Sequence, residues 1–596
     1  MMKMADMHQL SADVVVVGGG LSGVCAALAA ARSGADTILI QDRPMLGGNT
    51  SSEIRVHAGG ADNSGGRPGY RESGIVDEIR LEESARNPQR CAQMWDLVLY
   101  EKCYEEDKLT LLLNTTCVAA QTRDNGDGRS LIESIIAHRE STEDHFTIAG
   151  KFFIDCTGDG RLAAEAGAEY RVGREGPDEF GEPHAQGPDR ETMGASLLWV
   201  AENMGTPVPF TPPSFTHKFT EDDLVKRGHA SFDHGYWWVE YGGQMDTVKD
   251  KEEIRDELLA AMMGVWDHIK NGGQHAAANW ALKWFGWVPG HRESRRIIGD
   301  HILTENDLMN SVLFEDRVAH GGWPMDTHPP GGIYCDLPPA DFLRTPDIYS
   351  IPLRALYSKD VANMFMAGRC VSCTHMAMSS TRLAATGAAM GQAVGTAAAM
   401  CVARECLPRD IVASHVGDLQ QQLLKDDQYI ADLPGHDPTD LARRARVQAS
   451  SELAGFEARK VIDGITRARN GDSHQWASDP VERSGSQIEL WLEGPSVISE
   501  VHLTFDSGYS RPLTLTESDW FNGKMIRGPQ PETVADYTID IIGEDLAPAH
   551  SIPVRNNHLR KRVHHFTPVS ASAVVIRVSR TNGDASARIF EVRVYE

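Results

Sequence analysis

Asp13-Val14-Val15-Val16-Val17-Gly18-Gly19-Gly20-Leu21-Ser22-Gly23 is the stretch on which the reading of this chain turns. Val14 to Val17 are an unbroken β-branched run, which suits a parallel strand buried on both faces. Glycines follow at positions 18, 20 and 23, and residues 24–32 are Ala-rich and helical in pattern. Thr37-Ile38-Leu39-Ile40 is a second apolar run. Strand, tight turn, helix and strand within about 30 residues make a βαβ unit of a doubly wound sheet. Gly18 permits the tight turn, Gly20 the close approach of a ligand, and Gly23 close packing of helix on strand. Leu21 and Ser22 place free N–H groups at the helix start, where an anion is stabilised. The unit is therefore expected to hold the pyrophosphate of a dinucleotide. The second strand usually ends in an acid that accepts from a ribose hydroxyl. Here Gln41 stands in that place with Asp42 next, and either side chain can accept.

Outward from this unit the chain changes character three times. Residues 169–345 hold Pro-rich connections and most of the tryptophans, and read as a substrate or cap domain inserted into the first. Met364-Phe365-Met366-Ala367 then returns to a strand, followed by an uncharged Ala/Gly/Thr/Met stretch at 383–403. That stretch has few large aliphatics and reads as a tightly packed internal helix, not a membrane span. Pro434-Gly435 and Asp437-Pro438 mark a linker. From 446 to 596 the pattern is short alternating strands with turn residues between them, an antiparallel β-sandwich. The expected architecture is α/β. A Rossmann-type domain occupies 10–168 and 346–435, with an inserted α+β domain at 169–345 and a sandwich at 446–596.

Lys and Arg number 58 against 84 Asp and Glu, a formal net charge of −26. So acidic a surface repels phosphate backbones and argues against nucleic acid as a partner. The N-terminal residues carry no long apolar run and no cleavage-site pattern. All ten cysteines lie at or before Cys406, and the expected sandwich has none to staple it. Both features are those expected of a cytoplasmic protein. No metal ligand is assigned from the spacing of His, Cys, Asp and Glu, and an oligomer is left open.

Further motifs carry a family resemblance. Pro44-Met45-Leu46-Gly47-Gly48-Asn49-Thr50 resembles the second glycine turn of glutathione-reductase-type FAD domains. Ile154-Asp155-Cys156-Thr157-Gly158-Asp159-Gly160 resembles the strand-end turn that returns to the FAD ribose in that superfamily. With Gln41-Asp42-Arg43-Pro44, Arg292-Glu293-Ser294-Arg295-Arg296 and Ala367-Gly368-Arg369, residues 12–430 look like a bacterial family of FAD-dependent oxidoreductases. Ala367-Gly368-Arg369, His375, Arg382 and Gly391-Gln392-Ala393-Val394-Gly395 resemble the flavin-proximal end of fumarate reductases and succinate dehydrogenases. The resemblance implies FAD as cofactor. It implies His375 and Arg382 as catalytic groups, and a helix starting near Gly391 whose positive end points at the flavin. Each has a plainer reading. His375 could be a satisfied core histidine, Arg382 the partner of an acid of the fold, and the 292–296 cluster a set of ion pairs. Cys370 and Cys373 read as buried filler before they read as a redox dithiol. His57, in Arg55-Val56-His57, lies near where some relatives attach flavin covalently, and the bond type is left open.

Ala458-Arg459-Lys460-Val461-Ile462-Asp463-Gly464, Trp476, Phe505-Asp506 and the closing 587–595 resemble the discoidin or galactose-binding-like jelly roll. That resemblance implies glycan contact or a mere interface, with a calcium site left open. In Tyr236-Trp237-Trp238, read as a strand, one indole packs inward and Trp238 is taken to face a sugar. Arg55, His57 and Arg295 complete the candidate substrate contacts. The leading function is oxidation of a hydroxyl-bearing carbon of a sugar or sugar-derived acid by hydride transfer to flavin N5, with an unknown electron acceptor. The alternatives are reduction of an activated carbon–carbon double bond, with Arg382 and Arg292 or Arg295 as a carboxylate clamp, and a flavin-bearing carbohydrate-binding protein without turnover.

Overall fold

The computed structural model describes residues 7–61, 69–273, 275–481, 486–509 and 511–596. The chain divides into two compact units. The first holds Met1–Ser64, Arg90–Leu419 and Thr514–Gly523; the second holds Gly65–Gln89, Gln420–Leu513 and Lys524–Glu596.

The first unit is organised by a seven-stranded sheet. Its strands include β1 (Met7–Val17), β2 (Thr37–Ile40), β3 (Leu109–Leu112), β4 (Thr115–Asp124), β5 (Ser130–Arg139) and β6 (Asp144–Asp155). They lie in the order β3-β2-β1-β6-β5-β4, and strand β7 (Met364–Met366) also pairs with β6. β1 runs parallel to β2 and to β6, with Val17 opposite Ile40 on one side and Asp155 on the other. β4, β5 and the first half of β6 form an antiparallel meander. The carboxyl half of β6 is free on that side to take β7 in parallel. Val14 to Val17 are almost fully buried, as a strand covered on both faces requires.

Helix α1 (Leu21–Arg32) follows β1, and α3 (Ala384–Arg404) follows β7, while α2 (Lys251–Asn271) lies between them in the chain. The small-residue stretch at 383–403 is explained by the packing of α1 on α3. A Cβ on Gly391 would meet the Ser22 carbonyl oxygen at 2.1 Å, and one on Gly395 the Ala26 oxygen at 2.1 Å. The two backbones are in contact, which only glycine allows. Gly391 therefore lies inside α3, and the helix begins at Ala384, not near Gly391 as expected. Among the described residues no helix is long and apolar enough to cross a membrane.

Residues 195–333 keep a core of their own around α2, with Trp199, Trp238, Ile254, Leu258 and Trp266 packed together. They nevertheless belong to the first compact unit. None of the ten cysteines is joined in a disulfide among the described residues.

The second unit is an antiparallel sheet. Its strands are β8 (Arg446–Ala449), β9 (Trp476–Pro480), β10 (Ser486–Phe505), β11 (Val534–Ile542), β12 (Pro548–Val554), β13 (Lys561–Thr581) and β14 (Ser586–Tyr595). They run β9-β14-β10-β13-β11-β12, with β8 on β10. Alternate residues such as Ile488, Leu490, Val501, Leu503, Ile539 and Ile576 form its core. The unit also takes in a helix from far upstream, Ile75–Arg86. Arg71 is wholly buried there. It pairs with Asp77 at 3.0 Å and donates to the carbonyls of Ser507 and Arg511. Asp463 of the Asp-Gly loop accepts from Ile465 N and lies 2.8 Å from His474 Nδ1.

Candidate active site

A crevice of about 520 Å³ opens outside the carboxyl ends of the parallel strands. Val17, Ile40, Cys156 and Ala367, at or just beyond the ends of β1, β2, β6 and β7, all line it. This is where the strand order reverses on either side of β1, the usual ligand position in an open α/β sheet. Gly18 (φ +101°) turns the chain there, and a Cβ on it would meet the Cys156 carbonyl oxygen at 2.5 Å. A Cβ on Gly23 would strike the Gly18 oxygen at 1.8 Å, so Gly23 serves packing and does not line the crevice. A Cβ on Gly20 would meet no protein atom within 4 Å. It would enter the crevice itself, at the start of α1, where free N–H groups are offered to a pyrophosphate.

Most of the other residues expected to contact a cofactor line this crevice, whereas Gly391, inside α3, does not. Leu21, Ser22, Gln41, Asp42, Arg43, Gly47, Gly48, Asn49 and Thr50 line the crevice, as do Gly158, Asp159, Gly368 and Arg369. Gln41 has a structural duty as well: its Oε1 accepts from Gly19 N at 2.7 Å and its Nε2 donates to Met45 O. It ties the two glycine turns together and is buried. Asp42 is the carboxylate next to it on the crevice wall. Leu383, Ala384 and Gly387 bring the positive end of α3 to the crevice.

Arg43, Arg161, Lys251, Arg295 and Arg369 also line it, a local positive field on a chain of net charge −26. Asp159 is held among them, paired with Lys251 at 2.5 Å and Arg369 at 3.3 Å. Burial raises its pKa, but Arg369, Lys251 and His291 outweigh burial and hold the carboxyl far below the usual range. Burial pushes the nearby His291 imidazole down to about 3, although Asp159 opposes it. Arg369 Nη1 and Arg382 Nε are buried without a hydrogen-bond partner among the described residues. Open space at Gly20, two glycine turns and unspent guanidinium donors fit the diphosphate and rings of FAD.

His375 and Arg382 are not on the same wall. Arg382 lines the crevice. His375 lines a second cavity of about 790 Å³, with Arg174, Glu191, Gln244, His328 and Tyr334. Between them runs a buried chain of charged groups. Arg382 Nη2 donates to Asp326 Oδ2 at 3.0 Å and lies 3.3 Å from His328 Nε2. His328 is held at 2.6 Å by Glu240 through Nδ1 and at 3.2 Å by Asp326 through Nε2. Arg292 Nη1 lies 3.5 Å from Glu240 and donates to Ser196 Oγ. Burial raises the Glu240 pKa, yet Arg292 and His328 outweigh it, so the carboxyl stays below its ordinary value. His375 Nδ1 is 2.8 Å from Glu293 Oε2, which also accepts from Met193 N. Glu293 is likewise ionised: burial raises its pKa, and His375 and Arg296 outweigh burial.

Sequence reasoning missed His328, Glu240 and Asp326. His328-Pro329-Pro330 reads only as a connection, and no local pattern marks a histidine that Asp326, two residues before it, and Glu240, 88 residues upstream, will bracket.

Other expected contacts lie elsewhere. The 236–238 segment is a turn, not a strand, so face alternation does not apply. Trp238 is buried, stacked on Tyr236 at 4.8 Å and donating Nε1 to Gly228 O. Trp237 is the exposed one, 41% accessible and edge-on to His328 at 5.2 Å. Arg55 and His57 line a small separate cavity with Thr514, Leu515, Thr516 and Glu517. Arg55 pairs with Glu517 at 2.9 Å and covers Trp284. Arg295 stands in the crevice, donating to the Asp159 carbonyl. Arg296 is an internal ion-pair residue, between Glu175 and Glu293. Cys370 and Cys373 are fully buried, and burial pushes the Cys373 thiol up to about 12 and Cys370 well above its ordinary value. Neither is a ready thiolate.

No curated protein matches this chain in sequence. Several solved structures with some likeness to part of the chain are small modules. One is the lectin domain of lectinolysin complexed with Lewis b antigen, at 14% identity, 27% of this chain, 99% of that chain and a TM-score of 0.20. Another is chitosan-binding module 1 of a Paenibacillus sp. IK-5 chitosanase/glucanase, at 19%, 27%, 100% and 0.20. A third is the family 32 module of Clostridium perfringens NanJ in complex with galactose, at 17%, 26%, 98% and 0.20. Likeness at this level assigns no ligand. The model of the family described as FAD dependent oxidoreductase matches residues 13–423, well over half of the 596. The chain therefore belongs to that family, and it is an oxidoreductase whose cofactor is FAD.

Proposed function

We propose that the enzyme oxidises a hydroxyl-bearing carbon of a sugar or sugar-derived acid to a carbonyl. The observation that carries this is the His375–Glu293 pair on the wall of the 790 Å³ cavity. The Glu293 carboxylate accepts from Nδ1, which leaves His375 Nε2 with a lone pair for a substrate hydroxyl proton. Buried Glu293 favours the imidazolium that then forms. FAD, when bound, supplies the acceptor for the hydride. Arg174, Gln186, Glu191 and Gln244 offer hydrogen bonds to further hydroxyls. Trp237 offers an exposed indole face beside His328, suited to the apolar side of a sugar ring. Reduction of an activated double bond ranks second. It needs an arginine clamp on a carboxylate, and Arg382, with Nη2 engaged by Asp326 and His328, offers only part of its guanidinium.

The test is anaerobic mixing of the holoenzyme with a panel of sugars, sugar acids and unsaturated acids while flavin absorbance is followed. Bleaching by a polyol or sugar supports the proposal. Re-oxidation of pre-reduced enzyme by an unsaturated acid, with no bleaching by any hydroxylated compound, refutes it.

A further inference from the structure

Near the C-terminal end of α2 four side chains converge. Glu221, His229, His268 and His275 each bring one donor atom, and these atoms lie within 4.8 Å of one another. His268 is on α2, and His275 is in the turn that follows it. Lys251, the first residue of α2, is in the crevice; at 1.5 Å per residue His268 lies about 25 Å further along the axis. The cluster is thus remote from the flavin site.

Its geometry is specific. His268 Nε2 and His275 Nε2 are 3.3 and 3.1 Å from Glu221 Oε1. His229 Nε2 is 3.4 Å from Glu221 Oε2. His268 Nε2 and His275 Nε2 are 3.1 Å apart. The three ring centroids stand 5.4, 5.1 and 4.9 Å from one another, with interplanar angles of 70°, 66° and 72°. Three imidazoles are splayed like propeller blades about one point.

His229 is oriented toward that point. Its Nδ1 lies 2.6 Å from the Arg227 carbonyl oxygen. A carbonyl can only accept, so Nδ1 carries the proton and the neutral ring presents Nε2 as a lone pair. That lone pair faces a carboxylate oxygen. Two acceptors so placed repel each other unless a proton or a metal cation lies between them. The facing Nε2 atoms of His268 and His275 pose the same difficulty, because one shared proton satisfies only that pair.

We propose that Glu221, His229, His268 and His275 form a tetrahedral divalent-cation site, with zinc as its occupant. Zinc binds imidazole nitrogen and carboxylate oxygen at about 2.0–2.1 Å, so the edges of its tetrahedron measure roughly 3.3 Å. The three separations among His268 Nε2, His275 Nε2 and Glu221 Oε1, 3.1–3.3 Å, match that edge, and with His229 included the four donor atoms lie within 4.8 Å of one another, so a small turn of its ring completes the shell. The same geometry puts ligand ring centroids about 5.2 Å apart. The bond from His229 to the Arg227 carbonyl is the kind that fixes the tautomer and orientation of a metal-binding histidine. Four protein ligands close the coordination shell, so the ion clips the 221–229 segment and the turn after α2 to the helix end. Arg227 extends the clip, since its side chain binds the carbonyls of Gly332 and Cys335.

The full-length holoprotein, prepared without a polyhistidine tag, is stripped with a chelator and given zinc ions. Excess metal is removed on a desalting column and the remainder measured by elemental analysis. About one zinc per chain is expected. His268→Ala and His275→Asn are expected to keep their flavin but to bind zinc more than roughly 100-fold more weakly, a larger loss than a supporting residue causes. Cobalt in place of zinc is expected to give the strong visible bands of tetrahedral coordination. Should the histidine variants not fold, Glu221→Gln provides the same comparison, because that side chain is 37% exposed. Wild-type protein that retains no zinc, or folded variants that retain as much as wild type, overturns the proposal.

Discussion

The crevice at the strand ends and the cavity at His375 lie in one compact unit but are made of different materials. The crevice is made of backbone: two glycine turns, a helix start at Leu21 and another at Ala384. Its shape follows from where side chains are missing. The cavity is made of side chains from segments around 174–191, 244, 327–341 and 375, and its character follows from which charges meet. A backbone site tolerates changes in most of its side chains and fails at a single Cβ. A side-chain site keeps its shape after one substitution and loses its chemistry instead.

Gly20→Val tests the first half of that contrast and is expected to have the largest effect. Its side chain would occupy the open space at the start of α1, so the purified variant should be folded and colourless. Near-normal flavin content measured by absorbance would break the comparison. His375→Ala tests the second half. It should bind FAD normally, yet reduce it with substrate at least about 100-fold more slowly, the lower range for loss of general-base assistance. Stopped-flow absorbance checks this, and an unchanged rate would make His375 the satisfied core histidine of the plainer reading. Arg382→Lys sharpens the boundary between the two regions. If the substrate is an acid, KM should rise about tenfold, the cost of a weakened charged hydrogen bond. If it is a neutral sugar, KM should hardly move.

The smallest effect is in stability. The His291 imidazole is depressed to about 3 in the folded chain by burial, against about 6.5 when unfolded. Between these values the unfolded chain binds a proton that the folded chain refuses. The stability due to this group is therefore complete above about pH 6.5 and is lost as pH falls toward 3. At pH 6 the loss is under about 1 kcal/mol. His291→Gln cannot take the proton, so its denaturation midpoint should fall less than that of wild type between pH 7 and pH 5. Parallel curves for the two proteins would show that His291 is open to solvent in the crevice.

The same difference in material explains what could be read in advance. Val14 to Val17, the glycine turn, α1 and β2 are a contiguous stretch whose local backbone preferences agree with its packing, so the residues that line the crevice follow from pattern. The helix at 383–403 was legible as a tightly packed one for the same reason: small residues at close spacing leave no other use. Its starting point was not. Gly391 lies at the crossing with α1, and glycine answers equally to a helix end and to a helix contact.

The sequence by itself determined the α/β sheet, the dinucleotide crevice and the strand-rich C-terminal part, because each depends on neighbours within about 30 residues. Tertiary structure alone decided the rest. It put Trp238 in a core and left Trp237 outside, since a turn has no alternating faces. It drew Gly65–Gln89 into the second unit, where Arg71 and Asp77 are buried as a pair. It placed His328 between Glu240 and Asp326, and Glu221 among three histidines. A titratable side chain takes its role from the charges that surround it, and those arrive from segments whose sequence separation carries no signal.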